Sequence, residues 1–178
     1  MDPIIHNGIV ATIAVVFLVG AIQKLRDPMA FEIAIDAYEL LPQWLVRPFS
    51  YALPLVEFGA ALLLIFPTTR SLGVITAIGL LVVVTSAVAI NLVRGNTDVG
   101  CGCGGIEDEQ LLSWGLVARN AVLVGVTATL LMELALRPTY WFDYLVTALA
   151  TIAGYALYVI ASQLIANWPR LITIRGNS

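Results

Sequence analysis

Leu72-Gly73-Val74-Ile75-Thr76-Ala77-Ile78-Gly79-Leu80-Leu81-Val82-Val83-Val84-Thr85-Ser86-Ala87-Val88-Ala89-Ile90-Asn91-Leu92-Val93 contains no charged side chain. As a helix this run is about 33 Å long, enough to cross a hydrocarbon layer of about 30 Å. Apolar runs on either side repeat the pattern, from Gly8 to Gln23, Tyr51 to Phe66, Trp114 to Leu136 and Phe142 to Ala166. The fold class is therefore all-α, a polytopic bundle of about five transmembrane helices forming one membrane domain over residues 1–178. Hydrophobic residues are 60% of the chain and charged residues 12%, with a mean hydropathy of +0.92. Such a composition excludes an ordinary soluble domain. Before the first run only the Asp2 and His6 side chains can carry charge, and no small-residue cleavage site follows, so this run is expected to stay in the mature chain. His6 reads as a solvated bystander in the amino-terminal tail. The net charge of −3 comes without any basic cluster. The expected partner is thus the lipid bilayer and not nucleic acid.

Two connections are longer than the others, and long connections usually have a task. In the first, Asp27 can cap a helix whose opening residue, Pro28, needs no amide hydrogen there. Glu32, Asp36 and Glu39 follow on one face, while Phe31, Ala34, Ile35, Tyr38 and Leu41 lie largely on the other. Residues 27–42 read as an amphipathic helix lying in the interface and ended by Pro42, acting as a tether, a lid or a docking element. Asp27 and Tyr38 are its candidate partner-docking residues. The second connection, residues 94–113, carries Val99-Gly100-Cys101-Gly102-Cys103-Gly104-Gly105 and then Glu107, Asp108 and Glu109. With five spans both connections face the same compartment.

Charged and amide side chains inside spans need a reason, because each costs a few kcal/mol in hydrocarbon even on lenient scales. Glu57 lies about 9 Å below Tyr51, and Arg119 lies about as far below Ser113. Lys24 and Asn91 end their spans on that same side, and Asn120 adjoins Arg119. Five polar side chains from four helices are expected to converge under the cysteine connection. Glu57 and Arg119 can form a buried ion pair that fixes packing, tunes the site, or both. Lys24 can instead snorkel to the interface, and the two asparagines can simply bond neighbouring helices. Glu133, near the opposite membrane face, has Arg137 one turn on.

Cys101 and Cys103 are the only cysteines, and they sit among glycines, not in an apolar helix where a packing cysteine belongs. Thiolates attack disulfides, and a nearby cation such as Arg119 or Lys24 lowers a thiol pKa. A disulfide between residues two apart is strained, hence oxidising, and the surrounding glycines supply the freedom that such a turn needs. Metal binding is the competing chemistry. Structural zinc wants four ligands and finds two cysteines without a nearby histidine, so no metal is expected in one chain, although a dimer or two-coordinate copper(I) would use paired thiolates. A structural disulfide that pins the connection is the third reading.

The run Ala21-Ile22-Gln23-Lys24-Leu25-Arg26-Asp27-Pro28, then Phe31, Tyr38-Glu39-Leu40-Leu41-Pro42, Leu53-Pro54-Leu55-Val56-Glu57, Cys101-Gly102-Cys103 and Arg119-Asn120 resemble the MauE family of methylamine utilisation membrane proteins. The order and spacing of these pieces, from about Gly20 to Asn120, carry the resemblance. It extends to the broader DoxX-like, redox-associated membrane group, from which Gly104 departs, since a Phe often follows the second cysteine there. The resemblance implies maturation of the small (beta) subunit of periplasmic methylamine dehydrogenase, in concert with the thioredoxin-like MauD, through disulfide formation or isomerisation at Cys101 and Cys103. A membrane chaperone or scaffold with a merely structural cysteine pair is the alternative. In layout alone, the chain also resembles vitamin K epoxide reductases, four-helix membrane cores that pass electrons from cysteines to a quinone. That analogy implies ubiquinone as acceptor near Glu57, Asn91, Arg119, Asn120 and Lys24.

The expected location is the bacterial inner membrane with the cysteine connection in the periplasm, the compartment where disulfides persist. Basic residues argue the other way. Lys24, Arg26, Arg47, Arg94, Arg170 and Arg175 share the cysteine side, against Arg70 and Arg137 opposite.

Overall fold

The computed structural model describes residues 1–97, 99–100, 111–132 and 140–176, with side chains up to residue 167. The chain runs α1 (Pro3–Arg26), α2 (Pro28–Ala37), α3 (Gln43–Ile65), α4 (Arg70–Val93), α5 (Trp114–Ala128) with a 3-10 turn at Thr129–Leu131, and α6 (Trp141–Gly176). Five of these, α1, α3, α4, α5 with its 3-10 turn, and α6, are long and apolar enough to cross a membrane. The chain is a multi-pass membrane protein, and α2 is the short helix between the first two crossings.

Local chemistry sets the boundaries. Asp2 caps α1 by accepting from the Ile4 amide at 2.9 Å. Asp27 caps α2 in the same way, accepting from Ala30 N–H at 2.9 Å with Pro28 in the first turn. The chain leaves α2 through Glu39, which takes a left-handed φ of 50° and donates its amide to Asp36 O at 3.0 Å. Helix α4 ends at Gly95, φ +83°, where Gly95 N–H reaches Leu92 O and Asn96 N–H reaches Asn91 O. This is the paired closing motif that glycine makes cheap.

Helix α1 is central, packing on α3 and on α6, while α4 sits between α3 and α5. Val10, Ile13 and Phe17 of α1 meet Ala60, Leu64, Val74, Ala77, Leu81 and Leu130 in the main core. Small residues bring α6 onto α1: a Cβ on Gly154 would fall 2.7 Å from Thr12 Oγ1, and one on Gly8 would fall 3.3 Å from Ala150 Cβ. Backbones approach closely at such positions, the usual basis of helix association in lipid. No residue of the α6 span is buried, and α6 touches α5 only slightly.

Several expectations need correction. The second crossing begins at Gln43 and not Tyr51, because Pro48 removes only one helical hydrogen bond and Pro42 precedes the first turn. Helix α2 ends at Ala37, short of Pro42, at the turn through Glu39. Helix α6 continues to Gly176, well past Ala166. His6 is no solvated bystander: the capped start of α1 at Pro3 turns it into the bundle, where it is 3% exposed, and its Nδ1 has no hydrogen-bond partner among the described residues. Glu133 and Arg137 lie outside the described residues.

Candidate functional site

Both flanks of the cysteine segment are tied to one point. Gly100 and Leu111 form an antiparallel bridge, and the Leu112 amide donates to Val99 O at 3.1 Å. Residues 101–110, which include Cys101 and Cys103, lie outside the described residues, as do the three acids that follow the cysteines. The anchoring of this neck is apolar: Leu112 and Leu116 pack with Val88 and Leu92, and Val99 and Tyr38 close over them. Tyr38, at the end of α2, thus touches the cluster that holds the neck. Burial pushes its phenol up to about 12. Asn91 closes the end of α4, a few residues before the neck. It is fully buried, donates from Nδ2 to Ala87 O at 3.1 Å, and accepts from Asn96 Nδ2 at 3.1 Å.

The polar centre contains four of the five converging residues. Lys24, Glu57, Arg119 and Asn120 line one cavity of about 70 Å³, together with Gly20, Phe17 and Tyr158. The Glu57 carboxylate pairs with Lys24, whose Nζ lies 2.9 Å from Oε1 and 2.8 Å from Oε2. Lys24 also stands 5.6 Å from the centre of the Phe31 ring, which ties the ion pair to α2. The expected Glu57–Arg119 ion pair is not the one that forms. Arg119 donates from Nε and Nη2 to Asn120 Oδ1 at 3.3 and 3.1 Å, donates from Nη1 to Ser162 Oγ at 2.9 Å, and lies 5.2 Å from the Tyr158 ring centre. Asn91 is absent from this cavity, its amide being committed to Ala87 O and Asn96 at the end of α4.

Glu57 reaches Lys24 although it is fourteen positions into α3, because the first turns of α3 project beyond the end of α1 and carry α2. Pro54, one turn before Glu57, removes the amide that would bond Ser50 O and loosens the helix beside the carboxylate. Under α2 a second cavity of about 550 Å³ is bounded by Phe31, Ile35, Tyr38, Phe49 and Leu53, with Lys24 at its polar wall. The ion pair therefore divides two spaces, one small and polar, the other large and apolar. Asp27, read as a docking residue, spends its side chain on the α2 cap.

Sequence reasoning missed Tyr158 and Ser162. They stand four residues apart on α6, so both face α5, but no polar pattern separates them from other small and aromatic residues of that span. A cavity of about 70 Å³ has room for about two water molecules at about 30 Å³ each. Its chemistry is that of a charged pocket of water-admitting size, suited to moving a proton or orienting a small polar group.

Comparison with known proteins gives one consistent result. The family described as "Methylamine utilisation protein MauE" matches residues 2–133. The "Methylamine utilization protein MauE" of Methylorubrum extorquens is 37% identical over 122 residues, which cover 68% of this chain and 66% of that one. The protein of the same description from Paracoccus versutus is 32% identical over 98% of this chain and 96% of its own. That from Methylophilus methylotrophus is 31% identical over 99% and 96%. No solved structure matches.

Proposed function

Because the chain belongs to the MauE family of methylamine utilisation proteins, we propose that it is a thiol-disulfide redox protein, with Cys101 and Cys103 as the reacting pair. It matures the small subunit of methylamine dehydrogenase together with the thioredoxin-like MauD. The supporting observation is the pinned neck, in which Gly100 and Leu111 are bridged so that the segment with both cysteines leaves and returns at one point beside Tyr38. Such anchoring suits a short loop that presents thiols to a partner without moving the helices.

In the oxidative direction, a thiolate of the substrate attacks the Cys101–Cys103 disulfide and forms a mixed disulfide, releasing one cysteine as thiolate. The second substrate thiolate then displaces the other cysteine. The substrate leaves with its disulfide, and the pair is left as a dithiol. Reoxidation removes two electrons and two protons, and a quinone held under α2 among Phe31, Ile35, Tyr38, Phe49 and Leu53 would supply that two-electron, two-proton acceptor. The Lys24–Glu57 pair and the small cavity shared with Arg119 and Asn120 offer a polar path for those protons, and the cavity under α2 has the volume for a quinone head. Location in the inner membrane with the pair facing the periplasm belongs to this reading, since disulfides are formed and kept there.

The test is dehydrogenase maturation in cells that carry Cys101→Ser or Cys103→Ser. Each substitution is expected to abolish mature enzyme while leaving the membrane protein at its normal level. Maturation that continues with either serine sinks the redox reading and leaves a scaffold, and loss of a bound metal on the same substitutions would make the chain a metal carrier.

A further inference from the structure

We propose that the cleft between α1, α5 and α6 binds one anionic phospholipid of the surrounding bilayer, with its phosphate at the Arg119 guanidinium and an acyl chain lying along α1. This site shares Arg119 with the proton path of the redox reading but does not need the cysteine chemistry. The cleft encloses about 910 Å³ and is walled by apolar side chains such as Ile9 and Val16 of α1, Val122 of α5, and Val146 and Leu157 of α6. Its floor is the close contact of Gly8 and Thr12 with Ala150 and Gly154, which holds α6 on α1 while leaving it off α5. The lips are open to lipid: Ile5 is 57%, Val122 65% and Leu157 68% exposed.

The dimensions fit a tail. On α1 the lining runs from Ile4 to Val16, on α5 from Gly115 to Val126, and on α6 from Val146 to Ile165. As helix the α1 and α5 stretches span about 18 and about 17 Å, close to the ~15 Å of one leaflet of the hydrocarbon core, while the α6 stretch runs on to about 29 Å. Arg119 and Tyr158 stand where this trough meets the small cavity, and Gly115, Ala161 and Ile165 continue its lining past them.

The charge fits a phosphate. Lys24 and Glu57 neutralise each other, so the polar centre retains the single positive charge of Arg119, whose partners are the neutral Asn120, Ser162 and Tyr158. Among the described residues no carboxylate pairs with it. Those bonds use three of the guanidinium's five N–H donors, and the remaining two suit a bidentate phosphate. A permanent cation inside a span is costly until something of opposite charge meets it, and the bilayer offers that partner already joined to an apolar chain.

Native mass spectrometry of the full chain, released from vesicles of phosphatidylglycerol, phosphatidylcholine and ubiquinone, tests the site. One phosphatidylglycerol is expected to remain per protein, favoured over phosphatidylcholine by about tenfold. Arg119→Gln should remove that preference and Arg119→Lys should keep part of it. Val122→Trp, at an exposed position that the fold does not need, should expel the lipid while circular dichroism stays unchanged. Equal retention of the two phospholipids, retention of ubiquinone instead, a second copy of the chain in place of lipid, or lipid binding untouched by Val122→Trp would each overturn the proposal. Repeating the measurement with both cysteines replaced by serine separates the two readings, since lipid retention should not change.

Discussion

The two sides of the polar centre settle their charge differently. Toward α2, Lys24 and Glu57 meet at 2.8 Å, with side chains 11% and 9% exposed, and cancel within the protein. Toward α6, Arg119 rests on an amide, a hydroxyl and an aromatic ring. The first side is backed by the cavity under α2 and the second by the trough between α1, α5 and α6, so the two differ in charge pairing and not in packing. A charge that is neutralised internally holds helices in register, whereas a charge given only neutral partners is available to something outside the chain.

Breaking the internal pair should have the largest effect on stability. Glu57→Gln leaves Lys24 buried without its anion and should cost about 3–5 kcal/mol, while the double variant Lys24→Met/Glu57→Leu should recover most of that loss. Thermal or denaturant unfolding of the detergent-solubilised protein measures both. If the single and double variants lose stability equally, the pair is not what joins α1 to α3. Arg119→Met should cost less than Glu57→Gln, because no ionic partner among the described residues is stranded, and that ranking sharpens the contrast between the two sides.

Tyr38 offers a test by pH. Its folded-state pKa of about 12 exceeds the ordinary value of 10.0, so between these values the folded chain holds a proton that the unfolded chain has released. Stability should therefore be unaffected by this residue below pH 10 and decline above it, by at most about 1.4 kcal/mol per pH unit. Tyr38→Phe should remove that decline, read as unfolding midpoints between pH 9 and 12. A decline of the same slope in the phenylalanine variant would assign it to other groups.

The smallest effect concerns the α2 cap. Asp27→Ala deprives the Ala30 amide of its acceptor and should cost about 1 kcal/mol. Faster hydrogen exchange confined to α2 would report it. Uniformly faster exchange across α3 as well would mean that the cap supports more than its own helix.

The sequence carried some of this plainly. Unbroken apolar runs revealed the crossings, and Asp27-Pro28 revealed where α2 begins. Counting residues from span ends also put Glu57 and Arg119 at similar depth, with Lys24 at the end of its span on the same side, because rise per residue is nearly constant. It did not reveal the rotation of each helix about its axis. Glu57 pairs with Lys24 and not with Arg119 for that reason, and Asn91 turns to Asn96 at the end of α4 instead of the cavity. Choosing between two cations at one depth requires knowing which helices are neighbours, and that is decided by contacts such as Gly154 on Thr12. The start of α3 was hidden because Trp44, Arg47 and Pro48 read as a connection although Pro48 interrupts only one bond near the helix start.

The most direct test of the redox account is alkylation of the purified full chain, before and after reduction and with added ubiquinone, read as mass shifts on the peptide containing Cys101 and Cys103. The account predicts that the pair is isolated as a disulfide, opens on reduction, and closes again when quinone is added. A pair that stays in one state under all three conditions would contradict it.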